Sequence, residues 1–231
     1  MAPPLPLHLG FLVSHGGSNM QAVLDAIAAG TLPARAEVAI CNNSEAAALA
    51  RAGARSIPAV HLSGKTHPDP DALDAAILAA LQERGVQLVL LAGYMKKLGA
   101  LVLAAYPRRV LNIHPALLPK FGGQGMYGIR VHQAVLAAGE RESGASVHIV
   151  TGEYDRGPLL AQARVPVLPG DTAESLQARV LEQEHRLYPE VLRRIATGEI
   201  VLDSIYMLGP RNGIELDFSR FKMHCSVLKV I

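Results

Sequence analysis

The sequence predicts an α/β fold: a mostly parallel central sheet with helices on both faces, and antiparallel additions towards the C-terminus. Three features carry this. Short apolar runs alternate with helix-period segments through most of the chain, which is the pattern of right-handed βαβ units. Residues 88–91 are apolar without interruption, as a strand covered on both faces would be. Residues 147–150 and 159–167 then follow one another as strand-like runs with only a polar loop between them.

Taken in order, residues 9–13 read as a strand and 20–29 as a helix closed by Gly30. A second strand at 38–41 leads to an Ala-rich helix at 45–52, and 57–61 reads as a third strand. Residues 71–84 form a long helical pattern with Gly85 at its end, where glycine readily takes the left-handed turn that stops a helix. The strand at 88–91 is followed by a helix near 98–106 and by a strand from Val110 that Pro115 ends, because proline cannot donate to a ladder. A helix at 131–138 precedes the two late strands, and Asp171-Thr172 opens a long helix reaching towards Ile195. The tail changes character. Residues 204–208 and 214–218 flank Gly209-Pro210-Arg211-Asn212-Gly213, a hairpin signal with a longer loop, and 223–231 is again strand-like. Its expected role is to stabilise the back of the fold.

Composition narrows the function classes. A chain of 231 residues, 50% hydrophobic, can bury one sizeable core. A net charge of +2 with 18% charged residues offers no field for nucleic acid or for a membrane surface. No stretch reads as a signal peptide or a bilayer span. Cys41 and Cys225 show no metal-ligand spacing and make no disulfide framework, which fits a reducing cytoplasm.

The chemistry is concentrated in Asn112-Ile113-His114-Pro115. Residues two apart on a strand point to the same face, so Asn112 and His114 project together from an otherwise apolar strand. An amide that can stabilise an oxyanion, beside an imidazole that can move a proton, is what acyl transfer needs. The alternative is that both residues cap turns or satisfy buried backbone groups. Ser146 to Pro158 forms a second unit: an apolar strand running into a polar loop that carries Asp155. A carboxylate delivered from there would orient His114 and favour its protonated form. Ser146 and His148 on that strand either support the site or are satisfied structural residues.

His15-Gly16-Gly17-Ser18-Asn19 lies between the first strand and the first helix. Backbone N–H groups at a helix start suit a phosphate. The equal alternative is an ordinary tight turn with Ser18 or Asn19 as the N-cap. The spacing is neither a dinucleotide fingerprint nor a P-loop, so neither cofactor is implied. The glycine-rich run 120–128 is either a lid or a plain surface loop.

Asn112-Ile113-His114-Pro115, Leu117-Leu118-Pro119, the strand running into Asp155, and Gln183-Glu184-His185 together resemble the folate-dependent formyltransferases, over about residues 7–198. Within them the pattern is most similar to the stand-alone members that formylate glycinamide ribonucleotide in purine synthesis. The resemblance implies a Rossmann-like formyltransferase fold. Residues 1–198 would form one domain, with a phosphate-binding half to about 105 and a catalytic and folate half after it. Residues 199–231 would be a strand-rich extension packed on the same domain.

By the same resemblance, Asn112, His114 and Asp155 are catalytic, while Gly17, Ser18, Asn19 and Glu184 hold the ribonucleotide. Met95, Lys96, Lys97, Leu98, Leu91, Val150 and Asn112 hold the folate, with Leu103 and Val110 either as further lining or, more in keeping with each taken singly, as plain core. The co-substrate would be 10-formyltetrahydrofolate, with no metal, and the partners would be small molecules, with no nucleic acid and no membrane. A cytoplasmic monomer or homodimer is expected. The chain departs from the family pattern at His15, where glycine is usual, at Lys96, where arginine is common, and at Leu181, where a polar residue often helps with phosphate. A formyltetrahydrofolate hydrolase would carry an extra N-terminal domain and a transfer-RNA formyltransferase a basic C-terminal one. Neither is expected here, and a non-catalytic folate- or nucleotide-binding module would be expected to lack one of the three catalytic residues.

Overall fold

The computed structural model describes residues 6–205 together with the short strand at Ile214–Glu215. Strands β1 (Leu7–Val13), β2 (Ala34–Cys41), β3 (Ala59–His61), β4 (Leu88–Leu91) and β5 (Val110–His114) alternate with helices α1 (Ser18–Ala28), α2 (Ala47–Ala54), α3 (Pro70–Gln82) and α4 (Ala100–Ala105). Helix α5 (Ile129–Ala137) is followed by β6 (Glu142–Ile149), β7 (Leu159–Pro166), the long helix α6 (Ala173–Ala196) and β8 (Ile214–Glu215). The sheet order is β3-β2-β1-β4-β5-β6-β7-β8. Strands β1 to β5 pair in parallel, β6 is antiparallel to both β5 and β7, and β8 is parallel to β7.

The chain builds outward from β1 to β2 and β3, then returns to place β4 on β1's other side. That reversal opens a crevice at the carboxyl ends of the strands, where open α/β sheets bind ligands. The period-two alternation of the strands sorts their side chains between two cores. Leu9, Phe11, Leu88, Leu90, Leu111 and Ile113 pack with Met20, Leu187 and Tyr188 of α1 and α6. Leu12, Val89, Leu91 and Val110 pack instead with Ile77 and Leu81 of α3 and Val102 of α4. Asn112 and His114 alternate with Leu111 and Ile113, so they project on the same side as Val110, past the end of the short helix α4. Tyr188 is fully buried and donates its hydroxyl to Leu111 O at 3.0 Å, which fixes α6 under the strand that carries both polar residues.

The helix starts follow their capping chemistry. The Asp69 carboxylate accepts from Asp71 N and Ala72 N at the head of α3, each at 3.3 Å. Thr172 and Ser175 form a reciprocal capping box at the head of α6.

The described part of the tail keeps the expected strand at Ile214–Glu215 and departs from the hairpin expectation at Ser204. Leu202–Ser204 forms a 3-10 turn rather than the start of a strand. Arg108 Nε donates to Leu202 O at 2.8 Å, and Arg109 grips Asp203 at 2.6 and 2.9 Å, so this segment is held against the loop before β5. Ile214–Glu215 pairs in parallel with Ala161 and Gln162 of β7, which places this strand at the sheet edge. The remaining tail readings, at 206–208, 216–218 and 223–231, lie outside the described residues. No helix among the described residues is long and apolar enough to cross a membrane.

Candidate active site

A cavity of about 670 Å³ opens at the carboxyl ends of the strands. It is lined by the turn 15–19 after β1, the segment 91–98 after β4, and 112–115 at the end of β5. The loops 123–128 and 150–155, with His132, His148, Gln177, Leu181 and Glu184, complete it. Asn112, His114, Asp155, Gly17, Ser18, Asn19, Glu184, Leu91, Met95, Lys96, Lys97, Leu98 and Val150 all face this one space. Leu103 and Val110 do not. They belong to the core beneath α4, where Val110 is buried and Leu103 packs against it, because the strand's first inward residue lies too deep to reach the crevice.

The proton-transfer groups form one cluster. In the register of β5 and β6, Asn112 stands opposite His148, and His114 opposite Ser146. His148 Nδ1 lies 3.0 Å from Ile149 O, and His114 Nε2 lies 2.8 Å from Phe121 O. Carbonyls only accept, so each of these ring nitrogens carries the hydrogen. The free nitrogen of His148 then accepts from the Asn112 amide at 3.1 Å. The free nitrogen of His114, Nδ1, faces Asp155 Oδ2 at 3.6 Å. Asp155 Oδ1 lies 3.4 Å from both the Asn112 amide and His148 Nε2, and Oδ2 accepts from Gly123 N at 2.9 Å.

Backbone geometry brings the carboxylate there. Asp155 adopts a left-handed conformation at φ 52°, uncommon outside glycine and affordable only where surrounding contacts hold it. A side chain at Gly122 would meet Leu118 at 2.5 Å and the Asp155 Cβ at 3.0 Å, so the loop after His114 can touch Asp155 only because residue 122 has none. Ser146 serves this loop from behind, donating to Ala116 O at 2.6 Å and accepting from Leu118 N at 3.0 Å.

Burial sets the charge state, and here the expectation of a raised His114 pKa is corrected. Desolvation lowers the His114 pKa and outweighs the opposing pull of Asp155 and the Phe121 carbonyl, with His148 adding to the lowering. Asp155 raises the imidazole's affinity for a proton as expected, yet the net direction is down because His114 is only 4% exposed. For Asp155 itself burial pushes the carboxyl up, but the neighbouring His148 and His114 rings and the Gly123 N–H hold it below its ordinary value. Desolvation, with a further push from His114, lowers His132 to about 4, so it is neutral near neutral pH. A neutral imidazole next to an ionised carboxylate is ready to take a proton.

The opposite wall is built from backbone. Gly17 caps α1 at φ 69° with no capping side chain, which corrects the reading of Ser18 or Asn19 as the N-cap. The first N–H groups of α1 therefore lack a side-chain acceptor and carry the positive end of the helix dipole. Asn19 donates instead to Glu184 Oε2 at 2.5 Å, joining α1 to α6. Burial raises the Glu184 carboxyl to about 7, against the lowering effect of Asn19. The third wall is the segment after β4. Its Met95 N donates to Ser14 Oγ at 2.8 Å, and Lys97 Nζ sits 5.9 Å from the Tyr154 ring centre across the cavity mouth. Among the described residues no group of His, Cys, Asp or Glu is arranged to hold a metal.

A family model for formyl transferases matches residues 8–192. The chain belongs to the formyl transferase family. Among formyl transferases it is 41% identical, over 83% of its length, to the chloroplastic phosphoribosylglycinamide formyltransferase of Arabidopsis thaliana. It is 35% identical to the phosphoribosylglycinamide formyltransferase of Escherichia coli over 84% of its length, spanning 89% of that relative. It spans 66% and 62% of the length of two plant relatives. The crystal structure of glycinamide ribonucleotide transformylase 1 from Symbiobacterium toebii superposes with a TM-score of 0.81 at 42% identity, covering 87% of this chain and 92% of that one.

Sequence reasoning left some of this formyl transferase site unassigned. His148 carried no firm role, and its place beside Asn112 follows from strand register, which links residues far apart in sequence. His132 and Gln177 had no signal beyond their helical period.

Proposed function

We propose that this chain transfers the formyl group of 10-formyltetrahydrofolate to the primary amine of N1-(5-phospho-β-D-ribosyl)glycinamide, releasing the N-formyl product and tetrahydrofolate in purine synthesis. What carries this reading is the convergence, in one cavity, of a neutral imidazole paired with a carboxylate and a helix N-terminus open to an anion. The volume suits two small molecules placed side by side. We place the reaction in the cytoplasm and the enzyme as a monomer or homodimer.

The amine attacks the formyl carbon and the carbonyl oxygen gains negative charge. The Asn112 amide turns from His148 and Asp155 to that oxyanion, a donor worth on the order of 10²–10³ in rate. His114 Nδ1 takes the proton the attacking nitrogen must lose, and ionised Asp155 stabilises the resulting imidazolium. The carbon–nitrogen bond to the folate then breaks as His114 returns its proton to the leaving folate nitrogen. Leu91, Met95, Leu98 and Val150 line the slot for the folate ring, and Lys96 and Lys97 at the mouth suit its glutamate carboxylates. Gly17, Ser18 and Asn19 hold the phosphate, with Glu184 at the ribose and amine end.

The test is the absorbance change of a 10-formyl folate analogue with and without the ribonucleotide. Turnover only in its presence is expected. Equal turnover without it would make the chain a hydrolase, and no turnover in either case would reject formyl transfer to this amine.

A further inference from the structure

The ribonucleotide end of the cavity is short of charge. Neither the turn 15–19 nor the α6 stripe that faces the cavity, Gln177, Leu181 and Glu184, contains a lysine or arginine. These stripe residues fall at i, i+4 and i+7, so they lie along one side of α6. Leu181 offers no hydrogen bond. Glu184 is already engaged with Asn19, whose own Oδ1 is buried without a partner. Gln177 remains: half-buried, facing the cavity, with no hydrogen bond to its amide from any described residue. A lone amide on the rim of a largely preformed pocket costs nothing to keep solvated, but it is a ready donor to an anion held opposite at the uncapped start of α1.

Resting on the functional reading above, we propose that Gln177 is a specificity-determining residue, its side-chain amide donating to the phosphate of the ribonucleotide where Leu181 gives nothing. Hydrogen bonds to a charged group are the strong kind. Removing this one should weaken use of the phosphorylated substrate by roughly 10- to 100-fold.

The experiment compares kcat/KM on the ribonucleotide and on its dephosphorylated nucleoside for the native chain, Gln177→Leu and Gln177→Glu. The expected result is a loss confined to the phosphorylated substrate and seen mainly in KM. It should be larger for Glu, which is nearly isosteric but repels phosphate, while the nucleoside and the folate KM are unchanged. The double variant Gln177→Leu/Leu181→Gln, with its amide moved one turn along the same face, should recover part of the loss. Equal effects on both substrates, or no effect on either, would overturn the inference while leaving the functional reading intact. A native chain that shows no ribonucleotide-dependent turnover would overturn both.

Discussion

The two walls of the cavity are made of different material. The wall on β5 and β6 is a cluster of side chains: Asn112, His114 and His148 each lie 3.4 to 3.6 Å from Asp155, Asn112 is 3.1 Å from His148, and the two ring protons are positioned by carbonyls at Phe121 and Ile149. The wall on α1 is mostly backbone, a glycine-capped helix start whose side chains contribute little beyond the Asn19–Glu184 contact. The first can gain, lose and relay protons. The second attracts charge through its backbone. Chemistry and binding are thereby separated in space, and substitutions should separate them in kinetics.

The largest effect short of removing the imidazole is expected at Asn112. Asn112→Ala removes the oxyanion donor and should lower kcat by about 10²–10³ with little change in ribonucleotide KM. Steady-state kinetics with both substrates varied will show it, and a loss carried by KM would blur the division between the walls.

Glu184 sharpens the comparison through pH. Its folded pKa of about 7 lies above its ordinary 4.5, so the fold holds a proton that the unfolded chain releases. The stability it contributes is full below about 4.5 and is lost as pH rises through about 7. Urea unfolding of the unliganded protein should show the native chain losing on the order of 3 kcal/mol, relative to Glu184→Gln, between pH 5 and pH 8. Parallel pH profiles for the two proteins would mean the carboxyl is solvated.

Gly17→Ala is expected to have the smallest effect. A Cβ there would sit 2.8 Å from the Ala48 Cβ, at a residue whose φ is 69°. The strain should cost about 1–2 kcal/mol of stability and raise ribonucleotide KM, with kcat nearly kept. A drop in kcat alone would place Gly17 in the chemistry.

The difference between the walls also explains what could be read from the sequence. Asn112 and His114 were visible because strand alternation is local: two polar residues at i and i+2 in an apolar run must share a face. Asp155 was visible as a carboxylate at a strand end. The role of His148 depends on the β5–β6 register, and the net direction of the His114 pKa depends on burial, and both are tertiary properties. On the backbone wall, Ser18 and Asn19 were the plausible caps by residue type, and the cap is Gly17. The left-handed turn at Gly17, a property of the folded backbone, sets the helix start one residue earlier. Val110 has the residue type of a pocket lining and is core instead, since depth along a strand is not written in its alternation.

The most direct test of the division is His114→Ala, with ribonucleotide affinity measured by calorimetry beside formyl transfer on the same sample. Turnover should fall by about 10²–10⁴, while the Kd for the ribonucleotide stays within about threefold of the native value, well under 1 kcal/mol. Near-native turnover, or a loss of binding that matches the loss of rate, would contradict the assignment of chemistry to the side-chain wall.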